Sequence, residues 1–345
     1  MLMIRLILRN LLSKILYSFG YTNKRINAYY QREDVVFLMY HRVLFEADAC
    51  SVEPGMYITP ETVETHLSEL NNEFACLTCK ESYVWFNNDS LAKNKPKCIL
   101  TFDDGWCDFY QYVFPLLKKY SIPATVFLPT SFIGTGKVFW TDRIMNIFDT
   151  VQGQYSGVKE RNIPFSSLIT QKVFDFSCTD LKDCYPAIDY LKSYKNNVIE
   201  GVLDELETFL DIDSTEDQER VFLTWEEVME MKESGLVEFG SHTHTHAILT
   251  TLNRSEIRYE LEKSKEVLCS RGVVDPKFVP FCYPNGNYND EIAKMVQDAG
   301  YSLAVTTRRG WNERKANIFT LNRVGLHNDI SSTPSLFLAR LAGLL

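Results

Sequence analysis

The 345-residue sequence predicts an α/β fold, an incomplete or distorted (β/α) barrel, and three observations carry that reading. Seven short β-rich apolar runs recur along the chain. Helical patterns separate them, and several runs are almost continuously apolar, as strands covered on both faces must be. The length suits one large barrel with insertions. Hydrophobic residues at 45% leave enough apolar mass for its core.

The expected strands are Val35–Tyr40, Cys98–Phe102, Ala124–Leu128, Val237–Gly240, Phe278–Cys282, Leu303–Thr307 and Phe319–Leu326. Thr59 and Pro60 open a helix running toward Asn71, with proline at the first helical position. Further helices are expected over Phe109–Tyr120, Trp225–Ser234, Arg254–Arg271 and Asn289–Ala299, the last stopped by Gly300. Thr224 and Glu227 form a capping box for the second of these four. From about residue 134 to 220 no strand is evident, only helical patches and an acidic run, Asp211–Glu219. This segment leaves the third strand at the C-terminal rim, where barrel enzymes keep their active sites. A mostly helical insertion is expected there, either walling or lidding a substrate groove or decorating the periphery.

Residues 1–33 read as a basic amphipathic helix preceding the barrel at 34–345. Arg5, Arg9 and Lys14 interrupt its apolar run, so it lacks the unbroken core of a signal peptide or a membrane span. Ile4, Leu8, Leu11, Leu12 and Ile15 share the other face. Two readings stay open: residues 1–30 make a peripheral contact with an anionic membrane, or the helix packs on the outer barrel wall. A net charge of -9 excludes nucleic acid as a partner for the bulk of the protein. The nine cysteines include one close pair, Cys76 and Cys79, with no second pair at zinc-site spacing. They read as reduced core residues. The expected location is therefore cytoplasmic, peripheral on the inner membrane surface if the helix binds lipid.

Thr101-Phe-Asp-Asp-Gly-Trp106 places two adjacent carboxylates at the end of an apolar strand. Burying two like charges is unfavourable unless a cation compensates them. Extended neighbours point to opposite sides, so one carboxylate can reach a metal while the other stays free as a base. Read alone, Asp-Asp-Gly is equally a turn with two solvated aspartates. Ser241-His-Thr-His-Thr-His246 gathers three of the six histidines after an apolar strand. Extended, His242 and His246 would stand about 13 Å apart at roughly 3.3 Å per residue. Coiled into a helical turn, they would approach to about 6 Å while His244 swings away. Two imidazoles and one carboxylate, with positions left for water, is the ligand set of catalytic zinc, and cobalt, nickel or iron also fit.

With these residues in place, ILTFDDGW, GSHTHTH and the later FCYPNG resemble the motifs of the polysaccharide deacetylases, carbohydrate esterases with a nodulation-type deacetylase domain. The resemblance covers roughly residues 35–330 in the family's order. It implies a distorted (β/α)7 TIM-like barrel with the insertion after the third strand. It also implies a metal-dependent hydrolase that removes the N-acetyl group from an amino sugar of a polysaccharide or glycan precursor. Asp103 is then the general base, and Asp104, His242 and His246 hold one divalent ion, zinc first. The general acid is His41, in a Tyr-His-x-Val opening, or His327, in a late Leu-His motif; His41 is preferred. The family's arginine before a Pro-aromatic pair is missing at Phe278-Val-Pro-Phe281. Arg323 either replaces it beside Asp103 or makes an ordinary ion pair. Phe281 and Tyr283 are candidate sugar contacts, a backbone N–H around 281–286 a candidate oxyanion donor, and Trp311 the candidate for the family's tryptophan motif. An O-acetyl esterase, another amide hydrolase, and a catalytically idle glycan-binding protein are the alternatives.

Overall fold

The computed structural model describes residues 2–48, 52, 54–87, 94–155, 165–177, 184–212 and 220–345, with side chains placed from residue 6 and, in the helix ending at Tyr155, up to Val151. Ten strands occur among them: β1 (Val35–Tyr40), β2 (Arg42–Val43), β3 (Tyr57–Ile58), β4 (Ala75–Leu77), β5 (Lys97–Phe102), β6 (Ala124–Leu128), β7 (Val237–Ser241), β8 (Pro280–Cys282), β9 (Leu303–Arg309) and β10 (Leu321–Gly325). Seven of them close a parallel barrel in the order β1-β5-β6-β7-β8-β9-β10, with β10 returning to β1. These are the seven runs expected from the sequence. Residues of β5 and β6 are buried throughout, which explains their unbroken apolar pattern.

The distortion has a local cause. β1 occupies one whole edge of β5, whereas the other edge is divided. β4 pairs with Lys97–Ile99, and β6 pairs only with Thr101 and Phe102. Three residues is too short a run for periodicity to reveal, so β4 was not expected.

The helices before the insertion are α1 (Leu2–Ser18), α2 (Tyr21–Gln31), α3 (Pro60–Glu73), α4 (Cys79–Asn87) and α5 (Phe114–Tyr120). The single helix expected over 1–33 is two, parted at Gly20, whose φ of 74° suits glycine. Thr59 caps α3, its side chain accepting from the Thr62 N–H at 3.3 Å. The helix expected from Phe109 begins as a π-turn, Phe109–Val113, before α5 continues it. After β6 come α6 (Trp140–Tyr155), α7 (Leu168–Ser177), α8 (Tyr185–Leu191) and α9 (Asn196–Leu210), the helical insertion. They form a separate compact unit, residues 136–221 with 251–253. Its core includes Ile144, Phe148, Val173, Leu203 and Leu206, and Arg143 joins α6 to α9 through Glu200, Asp204 and Glu207. Most of the acidic run, residues 213–219, lies outside the described residues.

The barrel resumes with α10 (Trp225–Glu233), α11 (Arg254–Ser270), α12 (Asp290–Asp298), α13 (Asn328–Ser331) and α14 (Pro334–Leu341). The capping box at Thr224 and Glu227 is present in both directions. The seven described cysteines are all free thiols. Val35, Phe37, Ile99, Phe127, Leu303 and Leu321 belong to one buried cluster of the barrel, leaving the C-terminal ends of the strands to carry polar groups.

Candidate active site

Asp103 and Asp104 follow β5, and the backbone turns sharply between them. The Asp103 N–H bonds the Tyr40 carbonyl at 3.0 Å, extending the β1–β5 ladder by one step. Asp104 then adopts φ 74° and Gly105 φ 67°. A Cβ on Gly105 would stand 2.7 Å from Leu128 and 2.9 Å from Ile133, so only glycine fits this turn. The two carboxylates diverge, through this turn and not through the extended alternation expected from the sequence.

Asp103 faces Arg323. Nη1 donates to Oδ1 and Nη2 to Oδ2, both at 2.7 Å, and the guanidinium also reaches the Thr306 carbonyl, Thr101 Oγ1 and Cys282 Sγ. Both partners are buried. Burial opposes ionisation of Asp103, but the Arg323 guanidinium outweighs it and holds the carboxyl below its usual range. The ion pair anticipated for Arg323 therefore exists.

Asp104 faces two imidazoles. Its Oδ1 lies 3.4 Å from His242 Nε2 and 3.2 Å from His246 Nε2, while Oδ2 accepts the Trp106 indole N–H at 3.0 Å. The histidine segment is neither extended nor a helical turn. Thr243 and His246 take φ 65° and 56°, folding it into a tight loop that brings the two rings to 4.8 Å. Left-handed conformations at non-glycine residues are unfavourable by roughly 1–3 kcal/mol each, and here they cluster on the site's own residues. Glu260 of α11 holds the loop: Oε2 accepts from the His244 and Thr245 N–H groups and Oε1 from the Thr245 hydroxyl, all at 2.8 Å. His244 swings away to Thr130 at 2.9 Å, as expected.

The electrostatics of this cluster are unbalanced. His242 Nδ1 lies 2.9 Å from the Cys282 carbonyl, which can only accept, so the neutral ring carries its proton there and Nε2 keeps its lone pair. Burial lowers the His242 pKa to about 4, which keeps the ring neutral near pH 7. Burial opposes ionisation of Asp104 too, yet His246, hydrogen-bonded to it, holds the carboxyl well below the usual range. Asp104 Oδ1, 3.2 Å from His246 Nε2, thus also faces the lone pair of His242. Acceptor against acceptor in a buried site is repulsive unless a cation lies between them. One donor atom each from Asp104, His242 and His246 lie within 4.8 Å of one another, so the set fits a divalent metal.

Both general-acid candidates reach this rim, because β1 and β10 are neighbours. His41 Nε2 is 3.7 Å from Asp103 Oδ2. His327 is half-buried, 3.9 Å from Asp329, and burial lowers its pKa.

Two sequence expectations are corrected and a third is narrowed. Phe281 and Tyr283 are fully buried and pack on Tyr301 and Tyr288, on the strand face opposite Cys282, so neither lines a sugar pocket. The N–H groups of Tyr283 and Gly286 are taken by the carbonyls of Val305 and Tyr283, which removes both as oxyanion donors. Trp311 stacks on Tyr29 at 4.5 Å, next to Asn312, which pairs with Val35 at the start of β1. It therefore lies at the opposite end of the barrel. Sequence reasoning also missed Trp106, Glu260 and Cys282, whose Sγ is 3.5 Å from Asp103. Glu260 left one trace, an acid between Ile257 and Leu261 on the buried face of α11.

The chain matches the polysaccharide deacetylase family over residues 91–155 and 184–304. It is 24% identical over 298 residues to YxkH of Bacillus subtilis (strain 168), named as a polysaccharide deacetylase, covering 86% of this chain and 72% of that protein. The fold is similar to Streptococcus pyogenes deacetylase PplD, solved in complex with acetate, with a TM-score of 0.57, 20% identity, and coverage of 89% of this chain and 98% of that one. It is also similar to IcaB from Ammonifex degensii, with a TM-score of 0.55, 18% identity and coverage of 90% and 96%.

Proposed function

The chain belongs to the polysaccharide deacetylase family, and on that premise we propose that it is a metal-dependent hydrolase removing the N-acetyl group from an amino sugar of a polysaccharide or glycan precursor. The observation that carries this reading is the buried Asp104 Oδ1, which lies near two imidazole Nε2 atoms and faces the lone pair of one of them. Asp104, His242 and His246 would hold one divalent ion, zinc first, with cobalt, nickel and iron as alternatives. Bound there, the ion supplies Lewis acidity to a carbonyl oxygen and makes water a better nucleophile.

The rest of the chemistry belongs to the chain. Asp103, ionised and held by two parallel Arg323 hydrogen bonds, accepts the proton of the attacking water. Its low pKa means the proton is held only briefly. His41, beside Asp103, is the group placed to protonate the departing amine, and His327 is left as a substrate contact on the same rim. Trp106 and the Cys282 carbonyl fix Asp104 and His242 in orientation, the supporting role that metal ligands generally need. Arg323 positions the base, which accounts for activity without the arginine missing before Pro280.

The test is acetate release from a panel of N-acetylated and O-acetylated sugars. Asp103→Asn is expected to keep its metal and lose about two to four orders of magnitude in turnover. Turnover by Asp103→Asn equal to the parent chain would remove the base assignment. Release from O-acetyl substrates alone would make the protein an esterase.

A further inference from the structure

α1 turns much of its apolar surface outward, against the usual rule for surface helices. On its inward side Ser13 is fully buried and meets Ser335 of α14 at 3.0 Å, with Leu6 and Leu16 only half-buried. Its outward side carries Leu8, Leu11, Leu12 and Ile15, at the spacing of one helical face, each 45–58% exposed. Phe19, just beyond the helix, is 76% exposed. Eight of the thirteen exposed large hydrophobic residues among those described fall between residues 7 and 21. A contiguous apolar patch of this kind marks an interaction surface.

Charge identifies what would cover it. Residues 1–32 hold six basic side chains and no acidic one, which leaves -15 for the rest of a chain whose total is -9. Lys14 and Lys24 are exposed beside the patch. Apolar side chains bordered by basic ones match the interface of an anionic bilayer, into which leucines sink while lysines meet headgroup phosphates. A nucleic acid would use the charges and gain nothing from the leucines. No helix of the described residues is long and apolar enough to cross a membrane, so the helix would lie along the surface.

We propose that the outward face of α1 docks this protein on an anionic lipid bilayer, with the barrel mouth held beside the lipid. The orientation follows from neighbours. Ser13 meets the start of α14, and the charge of Arg9 acts on His327, just past the C-terminal end of β10. The N-terminal half of α1 therefore runs alongside the mouth. Resting on the catalytic reading above, the substrate class that fits is an N-acetylated amino sugar tethered at that membrane.

The experiment is co-sedimentation of the full chain with vesicles of phosphatidylcholine and phosphatidylglycerol, against vesicles of phosphatidylcholine alone. Two variants accompany it, Leu8→Gln/Leu11→Gln/Ile15→Gln and Lys14→Glu/Lys24→Glu, with solution mass and turnover on a soluble substrate measured for each. The expected result is binding to the anionic vesicles only, weakened about tenfold or more by either variant, with soluble turnover unchanged. Equal partitioning onto both vesicles, no binding, or a solution dimer that the glutamine variant converts to monomer would each overturn the proposal. Turnover without vesicle binding defeats the docking surface alone. Vesicle binding without turnover defeats the catalytic reading alone.

Discussion

The barrel buries two histidines, and comparing their surroundings separates a packing residue from a site residue. His66, on α3, stacks on Phe337 with centroids 4.0 Å apart. Its Nδ1 meets the Tyr40 hydroxyl at 3.1 Å and its Nε2 the Ser331 carbonyl at 2.7 Å. His242, on the rim after β7, is just as buried, and burial lowers both pKa values to about 4. The difference lies at one nitrogen. His66 has both ring nitrogens matched by complementary groups, while His242 turns a lone pair toward a carboxylate oxygen. Burial and a shifted pKa are thus common to both regions, and only the mismatch singles out the second. An unbalanced buried pair, rather than a perturbed pKa alone, is the mark of a place reserved for a ligand.

Substitutions can break this comparison from either side. The largest effect is expected at the rim. His242→Ala should lower turnover at least about a thousandfold, roughly 4 kcal/mol in activation free energy. The metal-free fold should lose less than at His66, because the cavity and the freed Cys282 carbonyl are partly offset by removing a lone pair aimed at Asp104. Denaturant midpoints and acetate release on one preparation check both halves. His66→Ala should do the reverse, destabilising the chain by about 2–4 kcal/mol through a cavity and two orphaned polar groups. Its turnover, measured well below the unfolding midpoint, should stay within about threefold of the parent chain.

A smaller effect sharpens the same contrast. The folded pKa of His66, about 4, lies below the ordinary histidine value near 6.5, so the unfolded chain binds the proton more strongly. Its contribution to stability is intact above pH 6.5 and declines as pH falls toward 4. The decline amounts to about 2 kcal/mol between pH 7 and pH 5. His242 titrates in the same direction, so the measurement is the difference in pH slope between the metal-free parent and His66→Gln. Equal slopes would mean that His66 is charged in the folded chain.

Much of this architecture was legible in the amino-acid order because it rests on local pattern. All seven barrel strands fall in β-rich runs, and the capping signals at Thr59 and Thr224 placed two helices. The metal candidates were legible because two short motifs hold all of them. Of the supporting residues only Arg323 was legible; Cys282 meets Asp103 across 179 positions, and only the closed barrel unites them. The packing role of His66 fits its place at helical spacing from Val63 and Leu70, on the buried face of α3. Tyr283, Phe281 and Trp311 were misplaced because an aromatic near a motif reads the same whether it faces the mouth, the helix layer or the far end of the barrel.

The central claim is that Asp104 Oδ1 and two imidazole nitrogens share one cation. Metal content by mass spectrometry, on exhaustively dialysed parent chain and on Asp104→Ala, tests it most directly. One equivalent of a divalent metal per parent chain is expected and almost none in the variant, with both folded by circular dichroism. A metal-free parent chain that still released acetate, or equal metal in both proteins, would contradict it.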